Sequence, residues 1–240
     1  MFDPTYIDSY SNIDAPYQRL DARIKIIVTL AFVVIMALSV KDIPLKVIPF
    51  LVFIVFLTAI SRLSPKVLLR RLLPALPFFL FASLVLGFSK GSHAAIAAFL
   101  KGFLSVLSVI ILVSTTRFSN LLKGLEGLKV PVLIVSLISF VYRYLFIIAD
   151  EYGHIKIARE SRNFGGSKQW QWKTIGHSVG TLFLHSYERG DRVYSAMVAR
   201  GYEGNIRTLG MQEIKRNDIV FAAISVIYLL AAGLVSWKLL

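Results

Sequence analysis

At 240 residues and 56% hydrophobic, with a mean hydropathy of +0.66, the chain is more apolar than an ordinary soluble domain, which runs nearer about 45–50%. A formal charge of +13 in a soluble protein would suggest nucleic acid; here membrane-protein loops, which collect Lys and Arg on the cytoplasmic side, account for it, and the positive surface suits anionic lipid or an acidic protein instead. The absence of Cys excludes disulfide and thiol chemistry.

Residues 1–22 form a polar leader that carries Asp3, Asp8 and Asp14. It lacks the basic start and short apolar core of a signal peptide, so the first apolar stretch is expected to act as its own insertion signal. Four apolar stretches follow within residues 23–116: Ile24–Val40, Leu45–Ile60, Leu72–Ser89 and Ala94–Thr116. A fifth, Ile219–Trp237, lies in residues 218–240. Several approach the ~20 residues that a helix needs to cross a bilayer. Basic residues cluster before the first span (Arg19, Arg23, Lys25), after the second (Arg62, Lys66, Arg70, Arg71) and after the fourth (Arg117, Lys123, Lys129), which places the N-terminus inside. Pro74 and Pro77 are expected to kink the third span or start it below the membrane surface. Ser105, Ser108, Ser114, Thr115 and Thr116 give the fourth a small polar strip suited to tight packing, either internal or against a partner.

Pro131–Ala149 is also apolar, but Arg143 interrupts it, and an arginine at mid-membrane is costly. A crossing here would also put Lys156, Arg159, Arg162, Lys173, Arg189, Arg192 and Arg200 outside, against the charge rule. We therefore read it as a non-spanning helix that continues to Arg162; the alternatives are a true span with Arg143 snorkelling, or a miscounted earlier span. The expected fold is an all-α polytopic membrane protein with about five transmembrane helices, and residues 117–217 form a cytoplasmic helical region. Asn163-Phe164-Gly165-Gly166 stops its first long helix. A second is expected from Lys173-Thr174 to Arg200, with Gly201 closing it and Ile175, Val179, Leu182, Phe183 and Ser186 at helical spacing. Trp170 and Trp172 suit an interfacial position ahead of it.

The two helix endings are alike: Ser161-Arg162-Asn163-Phe164 and Ala199-Arg200-Gly201-Tyr202. Ordinary capping explains a terminal arginine, because positive charge is favourable at a helix C-terminus. The alternative is a pair of docking points for acidic grooves, since the guanidinium fork binds carboxylates in bidentate fashion. Arg159, Glu160, Tyr202 and Glu203 either support these arginines or form a solvated charged face. Arg143 binds lipid phosphate, pairs with Asp150 or Glu151, or locks the first helix. His93, His154, His177 and His185 lack ligand spacing, so no metal site is expected, and no nucleophile with an orienting group accompanies His185 and Glu188.

At these arginines the chain resembles the transmembrane T component of energy-coupling factor transporters, most closely the cobalt and nickel uptake T subunit. Ala199-Arg200-Gly201 is similar to that family's Ala-Arg-Gly signature, and Ser161-Arg162-Asn163 keeps the arginine of its first such motif with both flanks changed. Leu20-Asp21-Ala22-Arg23-Ile24-Lys25 is similar to the Leu-Asp-Pro-Arg-x-Lys that precedes the family's first span, with Ala22 in place of Pro. The likeness runs from about Asp14 to Ser236. It implies a non-catalytic coupling subunit in the cell membrane of a bacterium or archaeon. Two long cytoplasmic coupling helices would cross beneath the membrane domain and dock, through Arg162 and Arg200, into two ABC-type ATPases that bind ATP and Mg. The chain would pass their motion to a separate transmembrane substrate-binding subunit that carries cobalt or nickel, or a vitamin. The chain itself is expected to hold no cofactor, and Gly165-Gly166-Ser167-Lys168 has the wrong order for a Walker A loop. The rival from another class is a self-contained secondary transporter or channel, which should show a polar site within broken spans.

Overall fold

The computed structural model describes residues 16–39, 47–162, 168–202 and 215–238. Among them there is no strand, and the protein is an all-α polytopic membrane protein. After a 3-10 turn at Pro16–Arg19, the helices are α1 (Ala22–Ser39), α2 (Ile48–Ser61), α3 (Pro65–Leu72), α4 (Leu76–Lys90), α5 (Ser92–Thr115), α6 (Phe118–Gly127), α7 (Val132–Ser161), α8 (Lys168–Ala199) and α9 (Arg216–Lys238). They fall into two compact units: α1–α6 with α9, and α7 with α8.

Four stretches among the described residues are long and apolar enough to cross a membrane: Pro65–Lys90, Ser92–Thr115, Val132–Ser161 and Asp218–Val235. Three of these carry predicted spans. The fourth is the stretch read above as non-spanning, and length and composition alone put it in this group. The first two predicted spans are shorter as helices, α1 with 18 residues and α2 with 14. At 1.5 Å per residue α2 reaches only about 21 Å. Residues 40–46, where that span was expected to begin, lie outside the described residues.

The first unit is organised by one stripe of α1. Ile24, Val28, Phe32 and Met36 recur every fourth residue and are buried, whereas Ile27, Leu30, Val34 and Leu38 on the other faces are exposed. An apolar exposed face is the signature of a helix that meets lipid rather than water. Phe32 stacks on Phe53 of α2 at 5.8 Å between ring centroids, and Phe53 stacks on Tyr228 of α9 at 5.7 Å. The Tyr228 hydroxyl donates to the Pro49 carbonyl at 3.0 Å. The prolines of the third span do interrupt it: Leu73–Ala75 is a 3-10 turn between α3 and α4. In α4 and α5, small residues let the helices approach. A Cβ on Gly102 would lie 2.7 Å from the Phe79 ring, and one on Gly87 would lie 3.2 Å from the Ala95 Cβ. The polar strip of α5 turns inward, with Ser108, Ser114, Thr115 and Thr116 all buried in this unit.

At one end of this unit, polar side chains tie helix termini together. Asp21 caps α1 by accepting the Arg23 N–H at 2.9 Å. The side chain of Arg23 lies against Gly127 of α6, in the space that any Cβ there would take. Gly124, one turn earlier, also sits close on Ala22 and Ile26, where a Cβ would lie 3.0–3.2 Å from them. Lys25 is 1% exposed, and its ammonium donates to Gln18 O at 3.2 Å and to Thr115 O and Thr116 Oγ1 at 3.4 Å. It thereby satisfies an orphan carbonyl at the end of α5 and places a cation where the helix dipole favours one. Arg71 of α3 donates to Ser114 Oγ at 2.7 Å, at the same end of α5. Tyr17 lies beside Lys25, its ring centroid 5.2 Å from Nζ, and burial raises its phenol pKa above the usual range. The Leu20–Lys25 motif thus has an architectural role within this unit.

Candidate functional site

The second unit carries both candidate arginines. α7 spans 30 residues and α8 32, each about 45–50 Å long. α7 runs unbroken from Val132 through Arg143 to Ser161, as expected of its continuation toward Arg162. α8 starts five residues earlier than predicted, so Trp170 and Trp172 belong to its first turns rather than to the segment ahead of it.

The end of α8 is built by glycine. Gly201 has φ +80°, its N–H donates to Val198 O at 2.9 Å, and the Tyr202 N–H donates to Met197 O at 3.0 Å. These two bonds form a Schellman closure, which needs a left-handed residue at the Gly201 position. Ala199 is the last helical residue, Arg200 precedes the reversal and is exposed, and Tyr202 is half-buried beyond it. At the end of α7, Arg162 has φ −98° and ψ −3°, and its N–H donates to Arg159 O at 3.1 Å. Arg162 is exposed, and the Ser161 hydroxyl is turned back onto Ile157 O at 2.9 Å. Each long helix therefore ends in an exposed arginine. Asn163 and Glu203, and the glycines expected to stop α7, lie outside the described residues.

The supporting residues divide differently from expectation. Glu160 pairs with Lys156 and Arg159, both at 3.9 Å, on an open surface where such pairs contribute ~0–1 kcal/mol. Arg143 is exposed, and the Glu151 carboxylate considered as its partner instead faces α8. Glu151 Oε1 lies 2.9 Å from His185 Nδ1 and Oε2 lies 3.9 Å from Arg189 Nη2. Glu188 pairs with Arg192 at 3.6 Å rather than with His185. Sequence reading missed this link because it joins residues 34 apart; the available signal was the Asp150-Glu151 pair in α7 and a His/Arg pair one turn apart in α8. Beside it, the two helices enclose a cleft of about 500 Å³ lined by Phe140, Tyr144, Ile148, Val193 and Met197 among others.

The half-buried face of α8 shares only Leu182 and Ser186 with the set picked out by helical spacing. Thr174, Ser178, Leu182, Ser186, Arg189, Val193 and Met197 are half-buried, whereas Ile175, Val179 and Phe183 are exposed. The apolar spacing is real, but the helix shows most of that face outward. No group of three or more His, Asp or Glu that could hold a metal ion occurs among the described residues.

The family described as cobalt transport protein, CbiQ, matches residues 14–209. An uncharacterized protein of Methanocaldococcus jannaschii is 28% identical, over 92% of this chain and 83% of its own length. The energy-coupling factor transporter transmembrane protein EcfT of Lactobacillus helveticus is 28% identical, over 83% and 81%. The cobalt transport protein CbiQ of Rhodobacter capsulatus is 27% identical, over 41% and 40%.

Proposed function

The chain belongs to the cobalt transport protein family, the non-catalytic transmembrane T components of energy-coupling factor transporters, and we propose that it performs their coupling role through Arg162 and Arg200. The observation that carries this is the shared construction of the two ends: two helices of one unit, each about 45–50 Å long, each finishing in an exposed arginine. A guanidinium at a helix end is held away from the helix surface and presents its fork to a carboxylate-lined groove. Two such ends match two ABC-type ATPases, which bind ATP and Mg themselves. Motion of the ATPases then passes along α7 and α8 to a separate transmembrane subunit that binds the cargo. The exposed apolar residues Ile175, Val179 and Phe183 of α8 suit contact with that subunit or with lipid.

In this reading the N-terminus is cytoplasmic and α7 does not cross the membrane, which keeps the basic residues of α7 and α8 on the inner side. Cobalt is the preferred cargo, then nickel, supported by the family description and the Rhodobacter capsulatus relative. A second reading, a T component that serves a vitamin-type system, stands beside it, because the EcfT relative, whose name specifies no cargo, matches twice as much of this chain at similar identity.

The test is co-purification of the ATPases with wild type, Arg162→Ala, Arg200→Ala and the double variant. Each single change should weaken ATPase retention, and the double change should abolish it while the substrate-binding subunit stays attached. Full ATPase retention by the double variant would reduce both arginines to helix caps.

A further inference from the structure

Where α7 and α8 meet, one carboxylate serves both helices. His185 and Arg189 lie one turn apart on α8, so they face the same way and reach the two oxygens of Glu151. The contact between Glu151 and His185 is short, 2.9 Å, although the side chains remain 31% and 48% exposed. Next to it lies the cleft rather than a packed seam: Phe140, Tyr144 and Ile148 of α7 and Val193 and Met197 of α8 line about 500 Å³ of open space. Along this stretch half-buried side chains of both helices line the cleft, and the Glu151 contact ties one helix to the other beside them.

Both arginines lie well beyond that contact. Arg162 is eleven residues past Glu151, about 16 Å along α7, and Arg200 is fifteen past His185, about 22 Å along α8. The cleft runs back toward Phe140 on α7 while it runs forward toward Met197 on α8, so the helices approach in opposite senses. A displacement applied at either end reaches the rest of the unit only if the crossing resists it. With the crossing loose, one helix swings on the other and the displacement is absorbed there.

We propose that Glu151, with His185 and Arg189, is the fixed pivot that makes α7 and α8 a single lever, and that these three are positioning residues for coupling. The proposal rests on the reading of Arg162 and Arg200 as docking points, but its test is separate. The whole transporter, with its ATPases and substrate-binding subunit, is reconstituted with Glu151→Gln. Retention of the ATPases and ATP hydrolysis should be unchanged, while uptake per ATP hydrolysed falls on the order of fivefold or more, the usual scale of coupling between sites. Failure of the docking reading would appear instead as ATPase retention unaffected by the arginine changes.

A second variant, Glu151→Cys with His185→Cys, uses the Cys-free chain. Uptake should be low before treatment and recover when a short bifunctional thiol reagent joins the two cysteines, relative to the unchanged chain treated identically. The proposal is overturned if Glu151→Gln keeps full uptake or loses its ATPases, if the cysteines cannot be joined, or if joining them lowers uptake further.

Discussion

Under the proposed coupling role, Arg200 depends on its backbone setting as much as on its charge. Arg200 is presented by Gly201, whose φ of +80° reverses the chain immediately after α8. Open space surrounds the position where a Cβ would stand, so an alanine meets no clash and only the left-handed backbone opposes it. That strain is about 1–2 kcal/mol for a residue with a Cβ. Gly201→Ala should therefore weaken ATPase binding by about fivefold to thirtyfold with Arg200 intact, measured by titrating the complex with a labelled ATPase. Wild-type affinity would mean that the cap does not present the arginine. Gly201 was legible in the sequence because a glycine directly after an arginine-ended periodic stretch is a recognisable stop. Lys25 was not legible in its structural role. A lysine before an apolar run reads as a charge at the membrane surface, and only the packed helices show it buried among the Gln18 and Thr115 carbonyls and the Thr116 hydroxyl.

At the scale of elements, the apolar stretches announced the long helices because a bilayer demands uninterrupted runs, and the prolines announced the break at Leu73–Ala75. Less was legible where polar residues share a helix with apolar ones. Trp170 and Trp172 read as lying ahead of the second long helix, yet they belong to α8. The ten residues of α6 were lost in a broadly helical region because only its packing distinguishes it: Gly124 and Gly127 press on the start of α1. For α7 the apolar run and the charge rule pull in opposite directions. Its length and composition permit a crossing, but a crossing would export the basic residues of α8. Asp150→Cys in the Cys-free chain decides between them. A membrane-impermeant thiol reagent added outside intact cells should leave it unlabelled, and the same reagent should label it in inverted vesicles. Labelling from outside would make α7 a true span.

For the whole molecule, family and coupling class were legible because short motifs stand in a fixed order among hydrophobic stretches: Asp21-Ala22-Arg23 before the first, then Arg162 and Arg200 before the last. The link between α7 and α8 was not, because a carboxylate's partner depends on how two helices are set against each other. Cargo is not written in this chain either, since its recognition belongs to another subunit under the proposed mechanism. The central claim is that this protein transmits work and does not itself transport. Its most direct test is reconstitution into cargo-free vesicles, comparing the chain alone with the chain joined to its two ATPases and its substrate-binding subunit. The account predicts ATP-dependent uptake from the complete assembly and none from the chain alone. Uptake of the cargo by the purified chain alone would contradict it.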